Sequence, residues 1–283
     1  MIIFVVAEKS KQAYVSSVID SLRNHVFLAQ TDIRIVTPDE FEDTDCFKQI
    51  KGTIRLQENY KRLRSGKEKA NLSLVDPTLN EQAVLLFAPG VPEKRTLLHE
   101  FGHCTAVKSR LGIDLRSEYG RVADYLDKAI GIQFSRTLAE VIILQPEEAW
   151  IERQIVEFAA HDEDALGITV TQYLENALEL FSEAFKVLSP WDFAKEDWKR
   201  AQTALQRVEY CLKCILFSEI AEDTGLADLK IKFLELAKKF RDSPILVGIS
   251  LDGLWSLTKG NSMKQWVDRC SSMLIRVVRS ARM

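Results

Sequence analysis

A histidine pair at helical spacing is the feature of this 283-residue chain best suited to chemistry. His99, Glu100 and His103 form the pattern His-Glu-x-x-His. Residues four apart lie one turn apart on the same helix face, so both imidazoles can reach one metal ion. Zinc accepts imidazole nitrogens at about 2.0–2.1 Å and keeps one position open in catalytic sites. The pattern predicts that His99 and His103 bind Zn²⁺ and that Glu100 is the general base for an activated water.

The neighbours of this motif indicate a helix that lies in the interior, with the histidines facing a cleft. They carry no charge, and a surface helix of that composition would be unusual. The uncharged neighbours are Leu97, Leu98, Phe101, Gly102 and Cys104. Burying two histidines and a glutamate on one helix would be costly without a metal or other partners, which favours the metal interpretation.

A catalytic zinc site usually takes three protein ligands, and the motif supplies only two. In metzincins a glycine and a third histidine follow on the same stretch. This chain has Ala106 and Ser109 at those two places. The metzincin subclass is therefore excluded, and the third ligand must come from another segment.

The segment 145–152, with the sequence Gln-Pro-Glu-Glu-Ala-Trp-Ile-Glu, is the better source of the third ligand. Pro146 suits the first position of a helix, which places Glu147 and Glu148 in its first turn, where the helix dipole favours negative charge. We predict Glu148 as the third ligand. Glu152, one turn further along the same face, and Glu147 stay open as alternatives. Two further alternatives are Glu140 and His161.

The predicted secondary structure that must position these residues changes along the chain, from mixed strands and helices to helices alone. Apolar runs predict strands at residues 2–7, 33–37, 51–56 and 83–88, with a helix at 11–27. Beyond residue 92 the pattern is helical, and the predicted helices are 93–111, 119–130, 135–144, 146–160, 171–188, 195–221, 226–240, 244–257 and 262–282. We therefore expect an α+β domain over residues 1–166 and an all-α helical domain over residues 167–283.

Composition narrows the class of protein. The 38 Lys+Arg and 41 Asp+Glu residues leave a net charge of −3, which provides no general attraction to nucleic acid or to anionic membranes. The apolar stretches are interrupted by charges well before the roughly 20 residues that a bilayer requires. Five scattered cysteines do not make a disulfide framework, so a cytoplasmic location is expected. The tryptophans at 191, 198, 255 and 266 occupy core-like positions.

The order of these elements resembles that of the zincin metallopeptidases. A strand, a helix and further strands precede a helix with His-Glu-Phe-Gly-His, and a later helix carries Glu-Glu-Ala-Trp. The chain is most similar to the intracellular ImmA/IrrE-type group. The resemblance implies a zincin-like domain, in which a small mixed sheet lies against the active-site helix. It also implies that His99, His103 and Glu148 bind zinc and that Glu100 is the base.

The resemblance implies a zinc-dependent intracellular endopeptidase whose substrate is a regulatory protein or peptide, such as a repressor or antitoxin. Two other functions stay open. One is a non-proteolytic helical protein-interaction module that retains a zincin-like scaffold, although such a scaffold has no chemical need for an intact motif. The other is a zinc amide hydrolase that acts on a small substrate.

Overall fold

The computed structural model describes residues 2–6, 9–29, 32–50, 60, 61, 64, 70–74, 82–87, 93–106, 115, 142–246 and 263–282. The strand predicted at 51–56, the helix predicted at 119–130 and most of those at 135–144 and 244–257 lie outside these residues. The chain divides into two compact units. The first contains Met1–Arg110 and Glu157–Ile168, and the second contains Leu111–Val156 and Thr169–Met283. The boundary predicted between residues 166 and 167 stays a prediction.

The strands of the first unit form a small sheet. They are β1 (Ile2–Val5), β2 (Ile33–Val36), β3 (Ala70–Leu74) and β4 (Gln82–Phe87), in the order β2-β1-β4-β3. Strand β1 pairs parallel with both β2 and β4, whereas β3 and β4 are antiparallel. All four residues of β1 are buried. A central parallel strand is covered on both faces, which explains its continuous apolar run.

The helices of the first unit are short apart from the one that carries the histidine pair. They are α1 (Gln12–Ser21), α2 (Pro38–Glu42), α3 (Asp45–Ile50) and α4 (Lys94–Ala106). Helix α2 begins with a capping box, in which the Thr37 hydroxyl accepts from the Glu40 amide and the Glu40 carboxylate accepts from the Thr37 amide. Pro38 stands in its first turn. This cap ends β2 and starts α2 without leaving these two amides unpaired.

Helix α5 (Gln145–His161) is continuous, and its last residues belong to the first unit. The short α6 (Glu163–Leu166) follows. Among its described residues, the second unit continues with four long helices and two 3₁₀ turns. These are α7 (Val170–Leu188), a turn at Ser189–Phe193, α8 (Asp197–Asp223), α9 (Ala227–Arg241), a turn at Pro244–Leu246 and α10 (Met263–Arg282).

Helix α8 is the centre of the second unit, where it packs against α7, α9 and α10. Gly225 allows the reversal between α8 and α9, because its φ of 76° is a conformation that other residues rarely adopt. An aromatic cluster fills the space between α7, α8 and α9. Its members are Tyr173, Phe181, Phe185, Tyr210, Phe217, Phe233 and Phe240.

The fold class predicted from the sequence, an α+β zincin-like domain followed by a mostly α-helical domain, is wrong. The described part of the chain is mostly helical. Its strands have only four to six residues, and the parallel pair of β1 and β2 is four residues long. The apolar runs at 2–7, 33–37 and 83–88 do form strands, but these are too short to make the sheet the main structural layer. Long amphipathic helices bury most of the apolar side chains instead.

The tryptophans were expected to occupy the core, and only some of those described do so. Trp266 is fully buried, and its indole N–H donates to the Ile143 carbonyl at 2.9 Å. Trp191 and Trp198 are 43% and 44% exposed. Trp255 lies outside the described residues. In the described part of the chain, none of the helices combines the length and apolar character that crossing a bilayer would need.

A buried ion pair joins the 3₁₀ turn at Ser189–Phe193 to helix α8. The Arg207 guanidinium donates to both carboxylate oxygens of Asp192, with Nε 2.7 Å from Oδ1. The two side chains are 2% and 7% exposed. Arg207 also lies over the Phe185 ring, 5.1 Å from its centroid. Removing one member of such a pair leaves a buried charge without its counter-ion, which is strongly destabilising.

We expect Asp192→Asn to lower the free energy of unfolding by about 3–5 kcal/mol, because the Arg207 guanidinium loses its counter-charge in a buried position. Urea denaturation of the purified chain measures this change. The matched control is Glu183→Gln, which breaks the exposed Lys186–Glu183 pair and should cost less than about 1 kcal/mol. Equal effects from the two variants would show that the buried pair does not anchor the turn.

Candidate metal centre

Helix α4 carries the histidine motif, and packing of its apolar side chains fixes which way the motif faces. The helix lies against strands β3 and β4. The Phe101 ring stacks on Phe4 of β1, with centroids 6.0 Å apart. Leu97, Leu98 and Cys104 are fully buried. Because this face is turned into the interior, His99, Glu100 and His103 remain only partly buried.

The two histidine rings of α4 converge. Their Nε2 atoms lie 3.2 Å apart, and the ring centroids are 4.8 Å apart at an angle of 83°. Two nitrogens bound to one tetrahedral zinc at about 2.05 Å would be about 3.3 Å apart. The observed separation of the His99 and His103 nitrogens fits that requirement. Spacing of four residues on a regular helix is sufficient to produce it.

Glu148 lies in the first turn of α5. Its backbone N–H donates to the Leu144 carbonyl at 3.0 Å, so the carboxylate is near the positive end of the helix dipole. Two contacts of α5 within the second unit keep this turn in place. The Trp266 indole N–H donates to the Ile143 carbonyl just before the helix. One turn after Glu148, the Tyr173 hydroxyl donates to the Glu152 carboxylate.

His99, His103 and Glu148 form a group that could hold a metal ion. Each offers one ligand atom, and the three atoms lie within 4.8 Å of one another. All three side chains are partly buried. Two imidazole nitrogens and one carboxylate oxygen form a donor set that catalytic zinc sites use. The donor chemistry and the separation of the nitrogens therefore both fit zinc.

The alternatives for the third ligand have other surroundings. The Glu152 side chain is 6% exposed, and its carboxylate accepts a hydrogen bond from Tyr173. Glu147 is fully buried. His161 is exposed at the end of α5, where its Nδ1 is 2.6 Å from the Glu157 carbonyl oxygen. None of these three belongs to the group formed by His99, His103 and Glu148. Glu140 lies outside the described residues.

The remaining described histidine, His25, has an ordinary place in the core of the first unit. It is 1% exposed, and its Nδ1 accepts from the Phe27 N–H at 3.1 Å. Its ring packs against Phe27 and Phe158, with centroids 4.4 and 4.8 Å away. These contacts account for His25 as a packed, hydrogen-bonded side chain.

Lys213 on α8 is a neighbour of Glu148 that sequence analysis missed. Its ammonium donates to the Glu209 carboxylate at 2.7 Å. Burial alone would lower the pKa of Lys213, but the negative charges of Glu209 and Glu148 outweigh it and the pKa is raised. The spacing of Glu209 and Lys213 predicts their pairing on one helix. Nothing in the sequence pattern connects either residue with Glu148, which is more than 60 positions away.

The described cysteines are ordinary buried thiols. Cys104, Cys211, Cys214 and Cys270 are buried and form no disulfide with one another. Burial raises the pKa of the Cys214 and Cys270 thiols far above the ordinary value. Because the thiolate is the form that binds metal and attacks disulfides, Cys214 and Cys270 are poor candidates for either role.

Comparisons with protein-family models, with curated proteins and with solved structures find no match for this chain.

We expect the purified protein to hold close to one zinc ion per chain and both His103→Ala and Glu148→Ala to lose it, because two remaining ligands bind zinc too weakly. Zinc is measured by elemental analysis after removal of loosely bound metal, with circular dichroism as the test of folding.

Two exposed residues provide matched controls for the zinc measurement. His161→Ala and Glu163→Ala remove the same side-chain types from the surface and should leave the zinc content unchanged. Full retention of zinc in folded Glu148→Ala would contradict the assignment of the third ligand, and Glu152→Gln would then be measured.

Proposed function

We propose that this protein is a zinc-dependent endopeptidase that hydrolyses peptide bonds by general-base catalysis. One observation carries the proposal: the ligand atoms of His99, His103 and Glu148 lie within 4.8 Å of one another, with Glu100 adjacent to the first histidine. These are the residue types that the chemistry requires. Each is partly buried, which leaves access for a substrate while limiting the surrounding water.

His99, His103 and Glu148 would supply three protein ligands to a bound zinc ion, the number that catalytic zinc sites use. Bound zinc would polarise the scissile carbonyl and lower the pKa of water to about 7. With two neutral imidazoles and one carboxylate as ligands, a bound Zn²⁺ would keep a net positive charge, which would favour the negative charge that develops on the carbonyl oxygen. The ammonium of Lys213 is close enough to Glu148 for their opposite charges to attract each other.

Glu100 is the proton carrier in this mechanism. Its carboxylate accepts a proton from the attacking water as the water oxygen forms a bond to the carbonyl carbon. The same carboxyl group then donates the proton to the leaving amine nitrogen as the carbon–nitrogen bond breaks. Glu100 lies on α4, whose buried face is packed against the sheet, so its backbone is held in place relative to the two histidines.

The proposed substrate is a regulatory protein or peptide, such as a repressor or antitoxin. This follows from the resemblance of the motif region to intracellular peptidases of the ImmA/IrrE-type group. We also propose a cytoplasmic location. The thiols at 104, 211, 214 and 270 form no disulfide with one another, and disulfides are rare in a reducing compartment.

We expect Glu100→Gln to lower the rate of peptide cleavage by about 10²–10⁴-fold, because the amide cannot accept the proton of the attacking water. Zinc content and the midpoint of urea unfolding should stay at wild-type values, since the substitution keeps the size of the side chain. Cleavage of a library of fluorescence-quenched peptides by the zinc-loaded protein provides the rate.

Glu93→Gln is the matched control for Glu100→Gln, because it changes an exposed glutamate just before the same helix and should leave the rate unchanged. Wild-type rates in zinc-loaded Glu100→Gln would rule out Glu100 as the base. Turnover of formylated peptides without cleavage of internal peptide bonds would indicate the small-amide hydrolase instead.

A further inference from the structure

A pocket lies within the helical unit, between the end of α7, the 3₁₀ turn at Ser189–Phe193 and the start of α8. Its volume is about 360 Å³. Val187 and Leu188 form an apolar side, and Trp191 and Trp198 contribute two indole rings. Lys199 provides a charge, and Gln202, Thr203 and Gln206 line the remainder. Apolar and aromatic walls with a few polar groups are typical of small-molecule sites.

The two indoles of this pocket are arranged around one cation. Trp191 and Trp198 are 43% and 44% exposed, whereas large aromatic side chains are usually well buried. The Lys199 ammonium lies 5.0 Å from the centroid of the Trp191 ring and 5.5 Å from that of Trp198. Both distances fall within the range of a cation–π interaction. The ammonium is therefore held at the pocket between two aromatic surfaces.

The backbone that carries these groups is firmly anchored. Asp192, next to Trp191, forms the buried ion pair with Arg207 described above. At the start of α8, the Arg200 guanidinium donates to the Ala194 carbonyl at 2.9 Å and to the Asp197 carboxylate at 2.6 Å. A pocket whose walls are already ordered loses little conformational entropy when a ligand binds.

Charge decides which class of ligand the pocket can accept. The Lys199 ammonium already lies within cation–π distance of both indoles, so a second cation at this position would be repelled. That ammonium has three N–H donors and makes a hydrogen bond to the Glu196 carboxylate at 3.1 Å. Their side chains are 29% and 50% exposed, and ion pairs this exposed are weak. A ligand carboxylate can therefore share the ammonium with Glu196 or replace it.

We propose that this pocket binds a small aromatic carboxylate, with its ring against Trp191 and Trp198 and its carboxylate on the Lys199 ammonium. The side-chain amides of Gln202 and Gln206 can donate further hydrogen bonds to the same carboxylate. A volume of about 360 Å³ is near the lower end for small-molecule sites, which suits one ring or two fused rings. The pocket shares no residue with the candidate metal centre, and ligand binding here does not require the proposed peptidase activity.

The probe for this site is 1-naphthoate, and its neutral counterpart is 1-naphthamide. Isothermal titration of the zinc-loaded full chain measures both affinities. Lys199→Met removes the charge and keeps the aliphatic stem, and it should weaken naphthoate binding by about tenfold or more. The naphthamide affinity should be lower than that of naphthoate and should not respond to this substitution. Lys186→Met, on the exposed surface of α7, is the matched control and should leave both affinities unchanged.

A second variant should raise the affinity for naphthoate instead of lowering it, so its effect cannot be attributed to a lost contact with the ligand. Glu196→Gln removes the carboxylate that competes for Lys199, so naphthoate binding should tighten by about two- to fivefold. A site for an organic cation would respond in the reverse direction, because the same substitution removes a favourable negative charge. Benzyltrimethylammonium is titrated in parallel to test this.

Three results would overturn the proposal. The first is the absence of naphthoate binding to the wild-type chain at about 1 mM ligand. The second is naphthoate binding that is the same in Lys199→Met and in wild type, which would place the ligand elsewhere. The third is tighter binding of benzyltrimethylammonium than of naphthoate. Weakening in Lys199→Met together with tightening in Glu196→Gln would establish the site.

Discussion

The candidate centre depends on the burial of one face of helix α4. Leu97, Leu98 and Phe101 occupy fully buried positions, and the Phe101 ring rests on Phe4 of the central strand. Successive residues of a helix are rotated by 100° about its axis, so the packing of these three side chains fixes the directions in which the other side chains of α4 project. His99 and His103 are brought together on the side that remains open. The apolar residues of the motif region are thus as necessary to the site as the histidines.

Much of this local arrangement is predictable from the sequence, because it follows from helix geometry alone. The convergence of His99 and His103 requires only a regular helix over five residues. The start of α5 near Pro146 is predicted by the fixed φ and missing N–H of proline. The long helices from α7 to α10 also begin and end within about two residues of the sequence prediction, because each has a clear apolar periodicity.

The fold class was not predictable in the same way, because it depends on how much of the chain each kind of element occupies. Apolar runs at the start of the chain do identify β1, β2 and β4, yet each strand is short and the described chain is mostly helical. Strand β3 has the sequence Ala-Asn-Leu-Ser-Leu, which lacks the β-branched residues that mark a strand, and sequence analysis missed it. Its strand character comes from pairing with β4, a tertiary contact.

The sequence alone does not determine which glutamate of α5 is the candidate third metal ligand. Helix geometry places Glu148 and Glu152 on one face and turns Glu147 away by about 100°, so it narrows three candidates to two. What separates the remaining pair is a contact from another helix. Tyr173 on α7 donates its hydroxyl to Glu152, which satisfies that carboxylate inside the helical unit. Glu148 has the Lys213 charge nearby and lies in the group with the two histidines. Contacts from the neighbouring helices therefore distinguish Glu148 from Glu152 as the candidate third ligand.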